Sequence, residues 1–224
     1  MGSFFIVVVI AVVFVAIVYG YLASEKRRKE LCAWAISRGL TFSSTKDRGM
    51  ANRFTEFKCL HQGHSRYAYN IMRGNWRGQG VLLFDYHYAT GSGKNRSDHH
   101  FSAAIATAPY LLQPLMIRPE GLFDKITEFF GWDDIDFESA EFSRKFYVTS
   151  PDRKWAYDVI HQRMMDYLLA SERYTVQFDF HSIIATRSKQ FSPREFEAAA
   201  EFTHGILQRM PEYVVRRQKG LSEP

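Results

Sequence analysis

The segment FDYHYATGSGKNRSDHH, from Phe84 to His100, gathers side chains that can bind or transfer charge. Asp85, His87 and His100 offer one carboxylate and two imidazoles, a donor set suited to zinc or iron. Lys94 closes the sequence Gly91-Ser92-Gly93-Lys94, which looks like the end of a phosphate-binding loop. Such a loop needs a glycine five residues before its Gly-Lys pair and a hydroxyl after it, and it opens a helix. Those two positions hold Tyr88 and Asn95, and the residues beyond alternate like a strand. The phosphate-loop reading fails. Thr90 to Ser97 is instead expected to be a hairpin loop, its glycines supplying positive φ.

Two readings of the hairpin stay open. Side chains alternate along a strand, so Asp85 and His87 share a face, and the hairpin brings His99 or His100 opposite His87. In the correct register Asp85, His87, Lys94 and His100 form a ligand site, with Asp85, His87 and His100 as its metal donors. A slip of one residue turns the same groups into the solvated end of a hairpin. No particular cofactor follows from these residues.

Other polar clusters are weaker. Asp134, Asp136 and Glu138 line one face of an extended chain, with Ile135 and Phe137 on the other. Oxygen donors suit calcium or magnesium, but charges on a half-buried edge strand also prevent edge-to-edge pairing. Cys59, His61 and His64 make at most a partial zinc set. There is no Gly-x-Ser-x-Gly elbow and no His-Glu-x-x-His helix, and no catalytic residue is assigned.

These groups must be held by elements that the hydrophobic pattern outlines. Residues 24–38 read as a helix ending at Gly39. Runs at 54–60, 65–73, 80–88, 100–108 and 111–119 alternate and predict an antiparallel meander over 41–120, with a turn at 74–78. The part from 121 to 211 mixes types. It reads as a helix over 121–131, a strand over 141–149, a helix from Ser150-Pro151 with Trp155, Val159, Ile160, Met164, Tyr167 and Leu168 on its core face, strands over 174–181 and 182–188, and a helix opened by the capping box Ser192–Glu195. Residues 212–224 are expected to be a flexible tail. The fold class is α+β: an antiparallel sheet with helices packed on one face, behind an amino-terminal transmembrane helix.

That helix is the clearest feature of the chain. Phe4 to Ala23 contains no charge, and about 20 apolar residues cross the hydrocarbon of a bilayer. A secretory signal normally starts with a positive region and closes on small residues; here neither is present, and the run reads as an uncleaved anchor within residues 1–23. Lys26, Arg27, Arg28 and Lys29 follow it within the juxtamembrane segment 24–40. By the positive-inside rule they place the remainder in the cytoplasm, with the four cations on the membrane surface. Two cysteines, Cys32 and Cys59, imply no disulfide framework. Charge is segregated: residues 23–100 hold 14 Lys and Arg against 6 Asp and Glu, and residues 119–141 hold 1 against 8. The basic half lies next to the membrane, so no nucleic-acid partner is expected.

The order of Gly39-Leu40-Thr41-Phe42, Asn70-Ile71-Met72-Arg73-Gly74, Phe84-Asp85-Tyr86-His87-Tyr88, Gly91-Ser92-Gly93-Lys94, Arg118-Pro119-Glu120, Asp134-Ile135-Asp136-Phe137 and Glu141-Phe142-Ser143-Arg144 resembles an uncharacterised family of bacterial membrane-anchored proteins. The resemblance covers roughly residues 30–210. It implies a membrane-tethered domain and carries over no catalytic residue. The reading is therefore a single-pass membrane protein whose cytoplasmic domain binds a protein or another membrane component. The alternative is a metal- or small-ligand-dependent enzyme or sensor built on the 84–100 hairpin.

Overall fold

A computed structural model describes residues 2–121 and 134–220. Helix α1 runs unbroken from Gly2 to Ser37. Its first part is rich in Val and Ile, which disfavour helix in water. In hydrocarbon the backbone must satisfy its own hydrogen bonds, and a helix does so. The segment Phe5–Ser37 contains a window long and apolar enough to cross a membrane, with mean hydropathy 2.9 and none of it buried against the protein.

The same helix then becomes part of the domain. Leu31 and Ala35, one turn apart, are fully buried against the sheet. The helix ends where Gly39 turns to φ +70°: Gly39 N–H donates to Ile36 O, and Leu40 N–H reaches back to Ala35 O. This is the left-handed glycine cap that the sequence predicts, and its apolar follower Leu40 is buried.

Among the described residues a six-stranded antiparallel sheet is ordered β1 (Thr41–Ser43), β2 (His64–Trp76), β3 (Gln79–Thr90), β4 (Ser97–Pro119) and β5 (Phe146–Thr149), with β6 (Thr175–Arg187) on the other side of β4. Arg77 and Gly78, both at positive φ, form the two-residue turn between β2 and β3, so the turn is tighter than the 74–78 cluster suggested. The runs 100–108 and 111–119 are one strand. Pro109, between the two predicted runs, and Pro114, inside the second, lie in gaps of the β4–β6 ladder, between Thr107 and Leu112 and between Leu112 and Leu115, where no N–H is needed. Strand β6 bends with it: exposed Phe180 at φ +34° pairs with Leu112. The predicted strands 174–181 and 182–188 are thus one bent strand. The bend brings its ends together, and Thr186 Oγ1 donates to Thr175 O at 3.5 Å.

The long helices cover one face. Helix α1 is joined there by α4 (Arg153–Val159), α5 (Gln162–Ala170), α6 (Pro193–Gln208) and α7 (Glu212–Gln218) around Trp155, Phe196 and Ile206. The opposite face buries Phe57, Leu60, Phe84, Tyr86 and Phe101 beneath the segment that holds α2 (Met50–Arg53) and a 3-10 turn at Lys58–His61. Four local expectations are corrected here. Residues 54–60 form no strand. Residues 141–149 split into α3 (Ala140–Ser143) and β5. The helix expected from Ser150 begins later, because Ser150 Oγ donates to Pro114 O at 2.7 Å; Asp152 caps it by accepting from Trp155 N. That helix also breaks at Ile160, where His161 turns to Arg209 O. The tail is not loose throughout, since α7 buries Val214. The helix expected over 121–131, and Asp133, lie almost wholly outside the described residues.

Candidate functional site

Asp85 is the centre of the polar network on the helical face. Its side chain is fully buried, and its partner is Arg27 of α1, 58 residues away. The guanidinium donates twice, Nε to Oδ2 at 3.0 Å and Nη2 to Oδ1 at 2.7 Å. This fork-on-carboxylate geometry is the strong form of the pair. Asn70 Nδ2 donates to Oδ2 at 2.9 Å, and Ser102 Oγ gives a short bond to Oδ1. Each carboxylate oxygen therefore accepts two hydrogen bonds, the full complement a buried carboxylate needs.

Local irregularity makes this possible. Strand β2 shifts register between Tyr69 and Met72, and Asn70 sits there at φ +48°. The extra residue aims the Asn70 amide at Asp85. Ser102 lies opposite Asp85 in the β3–β4 ladder and also accepts from Phe191 N at 2.8 Å. One carboxylate thus joins α1, three strands and the chain entering α6.

His87 and His100 are direct cross-strand partners, their rings 4.9 Å apart. The register that the sequence left open is the one that brings them together. Yet each is engaged elsewhere. His87 faces the Ser65 carbonyl at 3.0 Å from Nδ1 and the Asp98 carboxylate at 2.8 Å from Nε2. Both neighbours are acceptors. His100 Nδ1 bonds the Tyr69 hydroxyl at 2.8 Å, and that hydroxyl accepts from Gln190 Nε2. Burial first, and His87 second, lower the pKa of His100 below its ordinary value. Asp98 is held well below the usual carboxylate range by Arg96 first and His87 second. His99 is paired instead with Thr90 and stacked on Tyr88. Lys94 is exposed at the hairpin tip, apart from Asp85.

The expected set is therefore divided: His87 with His100, Asp85 with Arg27, and Lys94 at the tip. Among the described residues no three His, Cys, Asp or Glu side chains converge as metal donors. Cys59 is buried, while His61 bonds Phe54 O and His64 bonds Gly91 O. Asp134 caps its own neighbourhood, accepting from Ile135 N and Val148 N, and burial raises its pKa. Arg27, expected on the membrane surface, is taken by Asp85. The sequence offered a signal for this in a lone aspartate amid the apolar strand GVLLFDYHY, but its partner lies too far along the chain to be paired by pattern.

On the opposite face, a cavity of about 600 Å³ opens beside the hairpin base. Tyr88, His99, Phe101, Arg173, Thr186 and Lys189 are among its lining residues.

No protein family matches the sequence, and no curated protein resembles it in sequence. A fold likeness does exist. The crystal structure of the mycobacterial trehalose monomycolate transport factor A superposes with a TM-score of 0.60 at 12% identity, over 82% of this chain and 96% of that one. At that identity the likeness concerns the fold alone, an α+β sheet domain.

Proposed function

We propose that the protein is a single-pass membrane protein whose domain stands in the cytoplasm and serves as a binding or adaptor module. The observation that carries this is the Arg27–Asp85 pair. The residues most suited to chemistry are spent on fixing the sheet to its membrane stem, which is what a module presenting a surface at the bilayer requires. Lys26, Arg28 and Lys29 support the cytoplasmic orientation through the positive-inside rule. The fold likeness to a transport factor is compatible with such a role and names no partner for this chain.

A second reading is favoured by the cavity beside His99 and His100. Its aromatic walls and the cations Arg173 and Lys189 fit a small amphipathic anion, and would make the domain a ligand sensor. Asp85, His87, Lys94 and His100 would not act as one metal site, because Asp85 already accepts four hydrogen bonds.

Native mass spectrometry of the full chain, purified in detergent without chelator, separates the two. The adaptor reading predicts the bare polypeptide mass, and site-specific photocrosslinks in intact membranes to a discrete protein. A stoichiometric small-molecule adduct lost on Lys189→Glu would replace it with the sensor reading.

A further inference from the structure

Two contacts fix how α1 runs over the sheet. Trp34 packs on Trp76, their rings 6.4 Å apart, and Trp76 pairs with Gln79 at the start of β3. Seven residues nearer the span, Arg27 holds Asp85, six residues further along β3. Going up α1 toward the membrane is therefore the same direction as going up β3 toward the hairpin tip.

The distances then place the tip. Arg27 lies five helical residues beyond Leu22, or ~7.5 Å of rise. From Asp85 to Thr90 is five strand residues, or ~17 Å. A strand inclined to the helix by as much as about 60° gains the ~7.5 Å needed to draw level with Leu22. The headgroup layer on each side of a bilayer is about 5–8 Å deep. Gly91 to Asp98 are all exposed, and among the described residues Lys94 has no carboxylate within ion-pair distance, while Arg96 is paired with Asp98. Lys26 is 78% exposed on the stem, Lys29 is also exposed, and Lys46 lies over the Tyr67 ring on the same face, level with His87.

We propose that the β3–β4 hairpin tip is a second membrane contact, with Lys94 seated on anionic phospholipid headgroups of the leaflet from which α1 emerges. The stem lysines Lys26 and Lys29 flank it, so that the domain touches the bilayer at two points and cannot swivel about its anchor. Each lysine near an anionic surface adds modestly and in a salt-dependent way. The inference rests on α1 spanning the membrane.

The test uses the full chain in a Cys32→Ser background, with Ser92→Cys carrying a bimane fluorophore. Ser92 is exposed and extended, so the change leaves Gly91 and Gly93 undisturbed. An Arg77→Cys label at the opposite end of the sheet is the control. The protein is reconstituted into phosphatidylcholine vesicles with or without 30% phosphatidylglycerol, both with a nitroxide headgroup quencher. The expected result is at least threefold more quenching at position 92 than at 77. Phosphatidylglycerol should raise it about twofold, and Lys94→Glu should abolish that rise. Quenching at 92 no greater than at 77, or equal in the two lipids, overturns the proposal. Failure of the chain to float with vesicles would instead overturn the anchor itself.

Discussion

At the residue scale, the chain spends its most reactive-looking groups on cohesion. Asp85 is worth little as a ligand because its four acceptor positions are filled, and it is worth much as a tie. The two partners are unequal. Asp85 has no exposure, whereas the Arg27 side chain keeps 23% and its long stem can reach water. Arg27→Met strands a buried carboxylate and should cost about 3 kcal/mol or more. Asp85→Asn leaves a guanidinium that can turn outward, and should cost about 1–2 kcal/mol. The double variant should be less destabilised than the sum of the two, since the pair acts as one unit. Chemical unfolding of the full chain in detergent measures all three. Strict additivity would mean that the contact carries no energy. Alternation put Asp85 and His87 on one face of a strand, a local fact, but the register that sets His100 opposite His87 stayed open in the sequence. The sequence could not show that Arg27 belongs with Asp85, because nothing in the spacing of residues 58 apart encodes a contact.

At the scale of elements, a signal read from a few neighbouring residues held where no distant group competed for it. The capping box at the start of α6 is complete: Ser192 Oγ accepts from Glu195 N at 3.3 Å, and the Glu195 carboxylate accepts from Ser192 N at 2.8 Å. Ser192→Ala should therefore cost about 1 kcal/mol, seen as a lowered midpoint in thermal unfolding. Ser150-Pro151 had an equally good signature, yet Ser150 is diverted to Pro114, and Asp152 takes its place. The joining of 100–108 and 111–119 into β4, and of 174–181 and 182–188 into a bent β6, has a similar reason. Each is accommodated by a gap in a ladder to another strand, and the gap is invisible from either strand alone.

The β6 bend carries a pH signature. Asp179, beside Phe180, has an unpartnered buried Oδ1. Burial, with Glu56 next, pushes its pKa up to about 6. The folded state then binds this proton more tightly than the unfolded chain, whose Asp titrates near 3.9. Asp179 therefore lowers stability above about pH 6, and the cost is relieved as pH falls toward 4. Asp179→Asn should be more stable than the parent at pH 7.5, with the gap about halved at pH 5. An unfolding midpoint that differs equally at both pH values would contradict this.

At the scale of the whole molecule, a long apolar helix does not usually dictate where a domain sits, because a flexible juncture separates the two. Here α1 continues without a break from the candidate span into the core, where Leu31, Ala35 and Trp34 pack on the sheet and Arg27 closes on Asp85. The most direct measurement is a pair of spin labels, at Ala23→Cys beside the span and at Arg73→Cys on exposed β2, in the full chain in lipid nanodiscs. Cys32 is replaced by Ser, and Cys59, whose thiol burial pushes up to about 12, stays unlabelled. The account predicts one narrow distance distribution that broadens in Arg27→Met. A broad distribution in the parent chain would show that stem and sheet move independently, and would contradict it.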